Sequence, residues 1–496
     1  MRDQIKRVVQ SLREGAPTNE PAGSRRRFVK AIAGGSLLAG FDAVAGTWVT
    51  RAQDSSGARM DDMPTIDGTV MVDDAARKAY AQDYGQIVHE RPRLVLRPGS
   101  VEDVVQMVRF ARRRGLAIAA RGNGHQPFGQ AQVRDGVVID LRSLQRVHSV
   151  SSERIDVDAG AEWRTVVQAA LQHGSTPPVL PAFLGLTVGG TLSIGGIGVA
   201  TFREGSQADQ VIELQVVTGE GAVVTCSEET RADLFEAALA GQGQVAIITR
   251  ASLRLVAAKP MVREYVLKYP DVHSLLDDEA LLRADLRFDG VVGMIVRSPE
   301  GWSLLLTATR HFTPPEAPDD TALTAGLRAI AGSLQTRDVA YAQYAEGAVN
   351  FQPEQSHADL GLLIPGSAAK TFIAAALPRL RPDDLGVANA MRVFSWNRKK
   401  FSRALLRLPT EDNFVYVAML RAETTDPNTL AGLLAGNRTL FDSNRELGGT
   451  LYPFSALELT RDDWRRHYGD AWRRLVTAKH RYDPGNVFAS GPDLFR

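Results

Sequence analysis

The run Arg121-Gly122-Asn123-Gly124-His125-Gln126-Pro127-Phe128-Gly129-Gln130 sets three glycines around one imidazole. Without Cβ atoms in the way, successive backbone N–H groups can converge, and such concavities bind phosphate oxygens. A second glycine-rich run follows from Thr187 to Gly198, with pairs at Gly189-Gly190 and Gly195-Gly196. A long ligand carrying a pyrophosphate fits between two segments of this kind. The first loop is not a dinucleotide fingerprint, because it lacks Gly-x-Gly-x-x-Gly leading into a helix and follows a second strand rather than a first. It is not a P-loop, since no Gly-Lys-Ser/Thr occurs.

The elements around the loop are strongly patterned. Residues 93–98 read as a strand, and 99–115 as a helix with Val101, Val104, Val105 and Val108 at helical spacing. Ser100 and Asp103 form a capping-box pattern, and Gly115 is the expected stop. Residues 116–121 read as a strand that runs straight into the loop, the usual position of a ligand loop in an α/β unit. Further strands are expected over 136–144 and 154–160, a helix over 162–174, and a hairpin over 211–226 turned at Gly219-Glu220-Gly221. A helix over 230–243 carries a second capping-box pattern, Thr230 with Asp233, and a strand closes the region near residue 257. Between 260 and 447 strand-like and helix-like runs alternate, which suits a sheet covered by helices on one face. Residues 462–483 read as one amphipathic helix ended at Asp483-Pro484-Gly485.

Composition bounds the function. The chain has 496 residues, is 44% hydrophobic and 23% charged, and has a net charge of +1. That is ordinary for a globular protein of two or three domains and gives no electrostatic case for nucleic acid. The lone cysteine, Cys226, excludes an intrachain disulfide and reads as a buried core thiol. Ser24-Arg25-Arg26-Arg27-Phe28-Val29-Lys30 resembles a twin-arginine export signal. It is followed by a weakly apolar stretch and by Ala43-Val44-Ala45, suited to cleavage. The stretch is too short and too broken by Gly and Asp42 for a membrane span. The expected organisation is a signal region over 1–53, a linker over 54–74, a cofactor domain over 75–257, a substrate or cap domain over 258–447, and a C-terminal segment over 448–496 returning to the cofactor domain. Export by the twin-arginine machinery would place the protein in the periplasm or outside the cell.

Several stretches together resemble the flavin-linked oxidases of the vanillyl-alcohol-oxidase type, which carry a PCMH-type FAD-binding domain, and within them most closely the cytokinin dehydrogenases. These are residues 121–131, 186–198, 201–229, 241–253 and 464–488, with a looser match over 357–367. The resemblance implies an α+β fold: a PCMH-type FAD-binding domain with a second α+β substrate domain. It implies FAD, joined covalently to His125; a hydrogen bond from His125 to a tightly held flavin is the other reading. It also implies that Gly122, Asn123, Gly124, Gln126, Gln130, Thr187, Ser193, Ile197 and Ile248 line the cofactor. Gly189, Gly190, Gly195 and Gly196 would allow close backbone approach. No metal site is implied.

The same resemblance exposes departures. Where the family has an acidic base before Leu186-Thr187-Val188-Gly189-Gly190, this chain has Ala182, which cannot accept a proton. The second family acid falls on Asp289, one methylene shorter than Glu, and is the catalytic residue the resemblance implies; an exposed strand-end role is the alternative. Gln126 replaces a serine. Pro492 replaces a glutamine that would meet the flavin's pyrimidine edge, and proline has no donor to offer. Trp396 reads as core in preference to a stacking wall. His357 and His467 are further candidates, the helical His467 reading as structural. The expected reaction is oxidation of a C–H next to an amine nitrogen, in an adenine-type substrate, by hydride transfer to flavin, with oxygen or a quinone-like acceptor. A sugar, alcohol or lactone oxidase on the same scaffold is the alternative, and a non-catalytic flavin-binding protein is a third reading.

Overall fold

A computed structural model of the chain describes residues 63–298, 301–347, 355–381, 384–386, 390–491 and 494–495, together with a short ribbon that pairs Leu37–Asp42 with Thr47–Arg51. The proposed export motif, the Ala43–Ala45 site and Pro492 lie outside the described residues. No helix among the described residues is long and apolar enough to cross a membrane.

The first sheet holds β1 (Thr69–Met71), β2 (Leu94–Arg97), β3 (Ile118–Arg121) and β4 (Val137–Asp140) in the order β1-β2-β4-β3. β4 runs parallel to both β2 and β3, and β1 closes the edge antiparallel to β2. The crossover between β2 and β3 is α1 (Val101–Arg114), whose buried stripe of Val104, Val105, Met107, Val108, Phe110 and Ala111 covers the sheet. Gly115 ends α1 in the left-handed region at φ +63°. Ser100 caps the helix by accepting from the Asp103 N–H. Asp103 does not return the bond to Ser100, so the box is half formed. Its carboxylate accepts instead from the backbone N–H groups of Asp67, Gly68 and Gly99. Residues 63–71, expected as linker, are thereby built into this domain.

A second sheet is antiparallel throughout, in the order β8-β7-β9-β6-β5. Its strands are β5 (Val147–Val150), β6 (Arg154–Asp158), β7 (Val211–Thr218), β8 (Val223–Ser227) and β9 (Ala246–Arg254). Cys226 is fully buried on β8, and burial pushes its thiol up to about 12, as a core cysteine requires. The helix after β8, Ala232–Ala238, departs from the expected capping. Its N-cap is Arg231 at φ +49°, with no side-chain cap. Asp233 accepts from Arg481 and Tyr482 of the C-terminal segment instead.

The third sheet has eight antiparallel strands, in the order β13-β10-β12-β11-β15-β16-β14-β17. They are β10 (Met261–Tyr269), β11 (Gly290–Ser298), β12 (Gly301–Phe312), β13 (Gln335–Ala340), β14 (Leu360–Pro365), β15 (Ala390–Asn397), β16 (Asn413–Met419) and β17 (Thr450–Leu451). Helices Val272–Asp285, Gly366–Ala376 and Pro427–Glu446 pack on this sheet. Glu279, on the first of these helices, is fully buried. It accepts the backbone N–H of Gly293 on β11, and burial raises its carboxyl to about 8.

The C-terminal segment forms two helices rather than one, Arg461–Tyr468 and Ala471–Tyr482, broken at Gly469 in the left-handed region at φ +51°. It closes back on the first sheet. Phe488 bridges to Ile118 in parallel register, and the Ile118 N–H donates to Val487 O at 2.7 Å. Asp483, fully buried, accepts from the N–H groups of Val487 and Phe488 and from Lys479 Nζ at 2.7 Å.

Candidate active site

The opening loop leaves β3 directly and is braced by residues 83–86, a segment that sequence reading passed over. The Tyr84 N–H donates to Gly124 O at 2.8 Å and the Gly85 N–H to Gln126 O at 3.1 Å. The Gly129 N–H donates to Asp83 Oδ2 at 2.6 Å. Burial raises the Asp83 carboxyl to about 6, against the lowering effect of these N–H donors and of Arg121. A Cβ on Gly85 would sit 1.8 Å from Pro127 O, so only glycine lets the brace close on the loop.

The two glycine runs meet. A Cβ on Gly122 would sit 2.0 Å from Thr187 Oγ1, and one on Gly190 would sit 2.9 Å from the same oxygen. Gly189 is pressed on Ala159, and its N–H donates to Ala159 O at 2.8 Å. Gly124 adopts φ +65°, where Arg121 occupies the space a side chain would need. Asn123 ties the loop to the segment before the second run, donating from Nδ2 to Gly185 O and to Glu162 Oε1. Ser193 turns its hydroxyl back to Gly189 O at 2.7 Å. Gln130 accepts from the Phe128 N–H and reaches toward the carbonyls of Pro453 and Ser455. Gly196, at φ +67°, is covered by Gln207, and Ile197 is half-buried after it. Ile248 is buried on β9 opposite Val216. Gly122 and Gly190 thus both pack on Thr187, which joins the two runs; Ser193 and Ile248 make local bonds and packing of their own.

A flavin dinucleotide fits these residues. Arg121 Nη1 and Gln126 Oε1 are buried beside the glycine cradle without hydrogen-bond partners, as are Gln207 Oε1, Gln242 Oε1 and Gln244 Oε1 near the second run. Such groups are costly unless a ligand satisfies them. Arg121 supplies a buried cation next to converging N–H groups, the donor set a pyrophosphate needs.

His125 stands in an aromatic enclosure. Its ring centroid lies 4.2 Å from Tyr84, 5.6 Å from Phe454 and 5.8 Å from Phe183. Burial, with the neighbouring His357, pushes the imidazole down to about 3, so the ring is neutral at physiological pH with one nitrogen unprotonated. Tyr84 also stacks on His357 at 4.2 Å and donates its hydroxyl to Asp359 Oδ2 at 2.9 Å. Asp359 accepts the Arg421 N–H at 2.7 Å, and burial raises its carboxyl to about 6. His357 Nδ1 lies 3.9 Å from Glu423 Oε1. Of this cluster the sequence picked out only His125 and His357. A usable signal existed: β-type alternation after His357 places Asp359 at i+2, toward the same side.

Ala182 is exposed beside Phe183 and carries no proton acceptor. Asp289 does not join the His125 cluster. It accepts the His311 N–H at 2.7 Å, and its carboxylate lies 3.9 Å from Arg203 and 3.6 Å from Arg310. Asp289 thus ties the start of β11 to β12 through the His311 N–H. The next residue, Gly290, lines a cavity of about 640 Å³ together with Val199, Val292, Thr307, Thr309 and Tyr344. Trp396 is 2% exposed and packs on Tyr416, Phe394, Phe401 and Phe414, a core position and not a wall of the cleft. His467 is half-buried, with its imidazole lowered to about 3 by desolvation and by Arg407, as a structural histidine would be.

Two opposed glycine runs, orphaned polar groups and a neutral histidine at their junction describe a flavin-dependent oxidoreductase. Comparison with known proteins gives the same class. A family model for an FAD-binding domain matches residues 92–227, and one described as cytokinin dehydrogenase 1, FAD and cytokinin binding, matches residues 320–495. The chain is 34% identical over 435 residues to the uncharacterized oxidoreductase ORF5 in the fasciation locus of Rhodococcoides fascians, covering 86% of this chain and 99% of that protein. It is 32% identical over 482 residues to cytokinin dehydrogenase 4 of Oryza sativa subsp. japonica, covering 87% of this chain and 90% of the relative. It is 29% identical to cytokinin dehydrogenase 1 of Arabidopsis thaliana, with 87% and 83% covered. The chain belongs to the cytokinin dehydrogenase family of FAD-dependent oxidoreductases.

Proposed function

We propose that this protein oxidises a C–H bond next to the amine nitrogen of an adenine-type substrate, with the flavin held covalently by His125. The observation that carries the reading is His125, directly after the Gly122–Gly124 run, enclosed by the rings of Tyr84, Phe183 and Phe454. FAD, when bound, supplies the two-electron acceptor for a hydride. The chain's own residues do the rest. Arg121 and Gln126 offer their spare hydrogen-bonding atoms to the cofactor. Gly122 and Gly190 leave the clearance, and Tyr84, Phe183 and Phe454 keep water from the ring of His125. A dry enclosure strengthens every polar contact inside it. The reduced flavin would pass its electrons to oxygen or a quinone-like acceptor. Ser24–Lys30 supports export of the folded, loaded protein by the twin-arginine machinery to the periplasm or beyond.

Acid precipitation tests the covalent link: a yellow pellet is expected, and a colourless pellet under a yellow supernatant would sink it. A screen for flavin bleaching with isopentenyladenine, against sugars, alcohols and lactones, tests the substrate class. Bleaching only by sugars or lactones would overturn the amine reading.

A further inference from the structure

The cleft needs a proton acceptor. Oxidising an amine at carbon leaves an N–H proton that must go to a titratable group within hydrogen-bond reach. Ala182 offers none, and Asp289 is held among Arg203, Arg310 and the His311 N–H. His125 is a weak base once burial has pushed it down to about 3.

One carboxylate near His125 is not used by any role described above. Asp359 is 1% exposed at the entry to β14, and its Oδ2 accepts the Tyr84 hydroxyl. The ring of that tyrosine lies 4.2 Å from the rings of both His125 and His357. Tyr84 keeps accessible surface, whereas Asp359 has almost none. The hydroxyl thus joins a sealed carboxylate to a side chain that stacks on His125 and keeps some accessible surface.

We propose that Tyr84 and Asp359 form a two-step proton relay serving the oxidation, with Tyr84 meeting the substrate and Asp359 acting behind it as the store. The proton leaves the substrate nitrogen for Tyr84 Oη while the tyrosine's own proton passes to Asp359 Oδ2. The N–H electron pair becomes the second bond of the imine. The neighbouring C–H hydrogen departs with its electron pair to the flavin, which is reduced by two electrons. Both substrate hydrogens and both electron pairs are then accounted for. The proposal rests on the amine reading above.

The relay works only while Asp359 is ionised, which its acidity near 6 allows at neutral pH. The groups that face it are Tyr84, His357, the guanidinium groups of Arg392 and Arg421, and Tyr416; Glu423 joins through Tyr84. The two arginines and His357 favour the ionised form, and burial opposes it.

The test uses the flavin-loaded enzyme and the variants Asp359→Asn and Tyr84→Phe. In the wild type kcat/KM is expected to fall below about pH 6, and infrared difference spectra should show a carboxyl band that titrates over the same range. Asp359→Asn should abolish both the pH limb and the band, with kcat lower by about 100-fold or more. Tyr84→Phe should lower kcat similarly while the Asp359 band remains. Flavin content should be unchanged in both. A variant within a factor of about three of wild type, or a limb that survives Asp359→Asn, overturns the relay. Should Asp359→Asn fail to fold, Tyr84→Phe decides alone. An alcohol or sugar that bleaches the flavin where no amine does would refute the amine reading, and the same variants are then judged on that substrate. If nothing bleaches it, both proposals fall.

Discussion

Replacing Gly122 by alanine isolates the clearance between the two glycine runs. The added Cβ would sit 2.0 Å from Thr187 Oγ1, 3.0 Å from its Cβ and 3.1 Å from its Cγ2. Gly122 has no left-handed backbone to lose, so the effect is steric alone. Ordinary contact begins beyond about 3.4 Å, so Thr187 must retreat by more than an ångström. Thr187 is 3% exposed, and β-branched side chains have few rotamers to retreat into. Overpacking of this kind costs about 1–3 kcal/mol. If that strain falls on the loaded cleft, flavin uptake weakens by about 5- to 150-fold, at about 1.4 kcal/mol per decade. The assay is the fraction of purified chains carrying flavin, from the visible-to-ultraviolet absorbance ratio, beside a thermal melt. Thr187→Ala removes both Oγ1 and Cγ2, so Gly122→Ala/Thr187→Ala should recover most of the flavin lost by Gly122→Ala. Wild-type flavin content and melting in Gly122→Ala, or a double variant no better than the single, would refute the opposed-run geometry.

Glu279 gives a pH signature in stability. The fold holds its proton up to about pH 8, whereas the unfolded chain releases it near 4.5, so stability falls as pH rises through that window. Glu279→Gln keeps the acceptor for Gly293 and removes the titration; it should gain on the order of 3 kcal/mol over wild type near pH 8 and little near pH 5, read by denaturant unfolding. Asp83→Ala strands the buried N–H of Gly129, so melting should drop by about 1–3 kcal/mol equivalent, with flavin content falling alongside. Thr230→Ala should change stability by less than about 0.5 kcal/mol, because Thr230 does not cap its helix, whereas a working cap is worth about 1 kcal/mol; a larger loss would contradict the Arg231 cap. Trp396→Ala should cost about 3–5 kcal/mol of stability and leave KM unmoved, as a core residue does.

Local rules carried much of the fold. Helix α1, its glycine stop and the strands on either side follow from periodicity and capping, which act over a few residues. The failures come where a side chain found a distant partner. Asp103 passes over Ser100 for the N–H groups of Asp67 and Gly68, and so draws the supposed linker into the first domain. Asp233 leaves its own helix end for Arg481 and Tyr482. Gly469 looked tolerable inside an amphipathic run, yet its left-handed backbone splits that run into two helices. A spacing pattern shows which bonds are available locally and is silent on competitors tens to hundreds of residues away.

The site divides along the same line. Close backbone approach is written in consecutive residues that only glycine allows; Gly122 and Gly190 against Thr187, and Gly124 against Arg121, are legible for that reason. The proposed proton relay draws on two widely separated segments: Tyr84 before the first glycine run and Asp359 at the entry to β14, midway through the eight-stranded sheet. A resemblance places Asp289 by alignment, but the structure surrounds its carboxylate with arginines and a strand N–H, and charge there is already matched. Asp359 has the opposite balance. It is sealed from water, held by one backbone N–H and one tyrosine hydroxyl, and its acidity is moved toward neutrality by burial. A carboxylate is most useful as a proton acceptor when its acidity lies near the working pH and one of its partners can hand it a proton. By both measures the acceptor of this cleft belongs behind Tyr84.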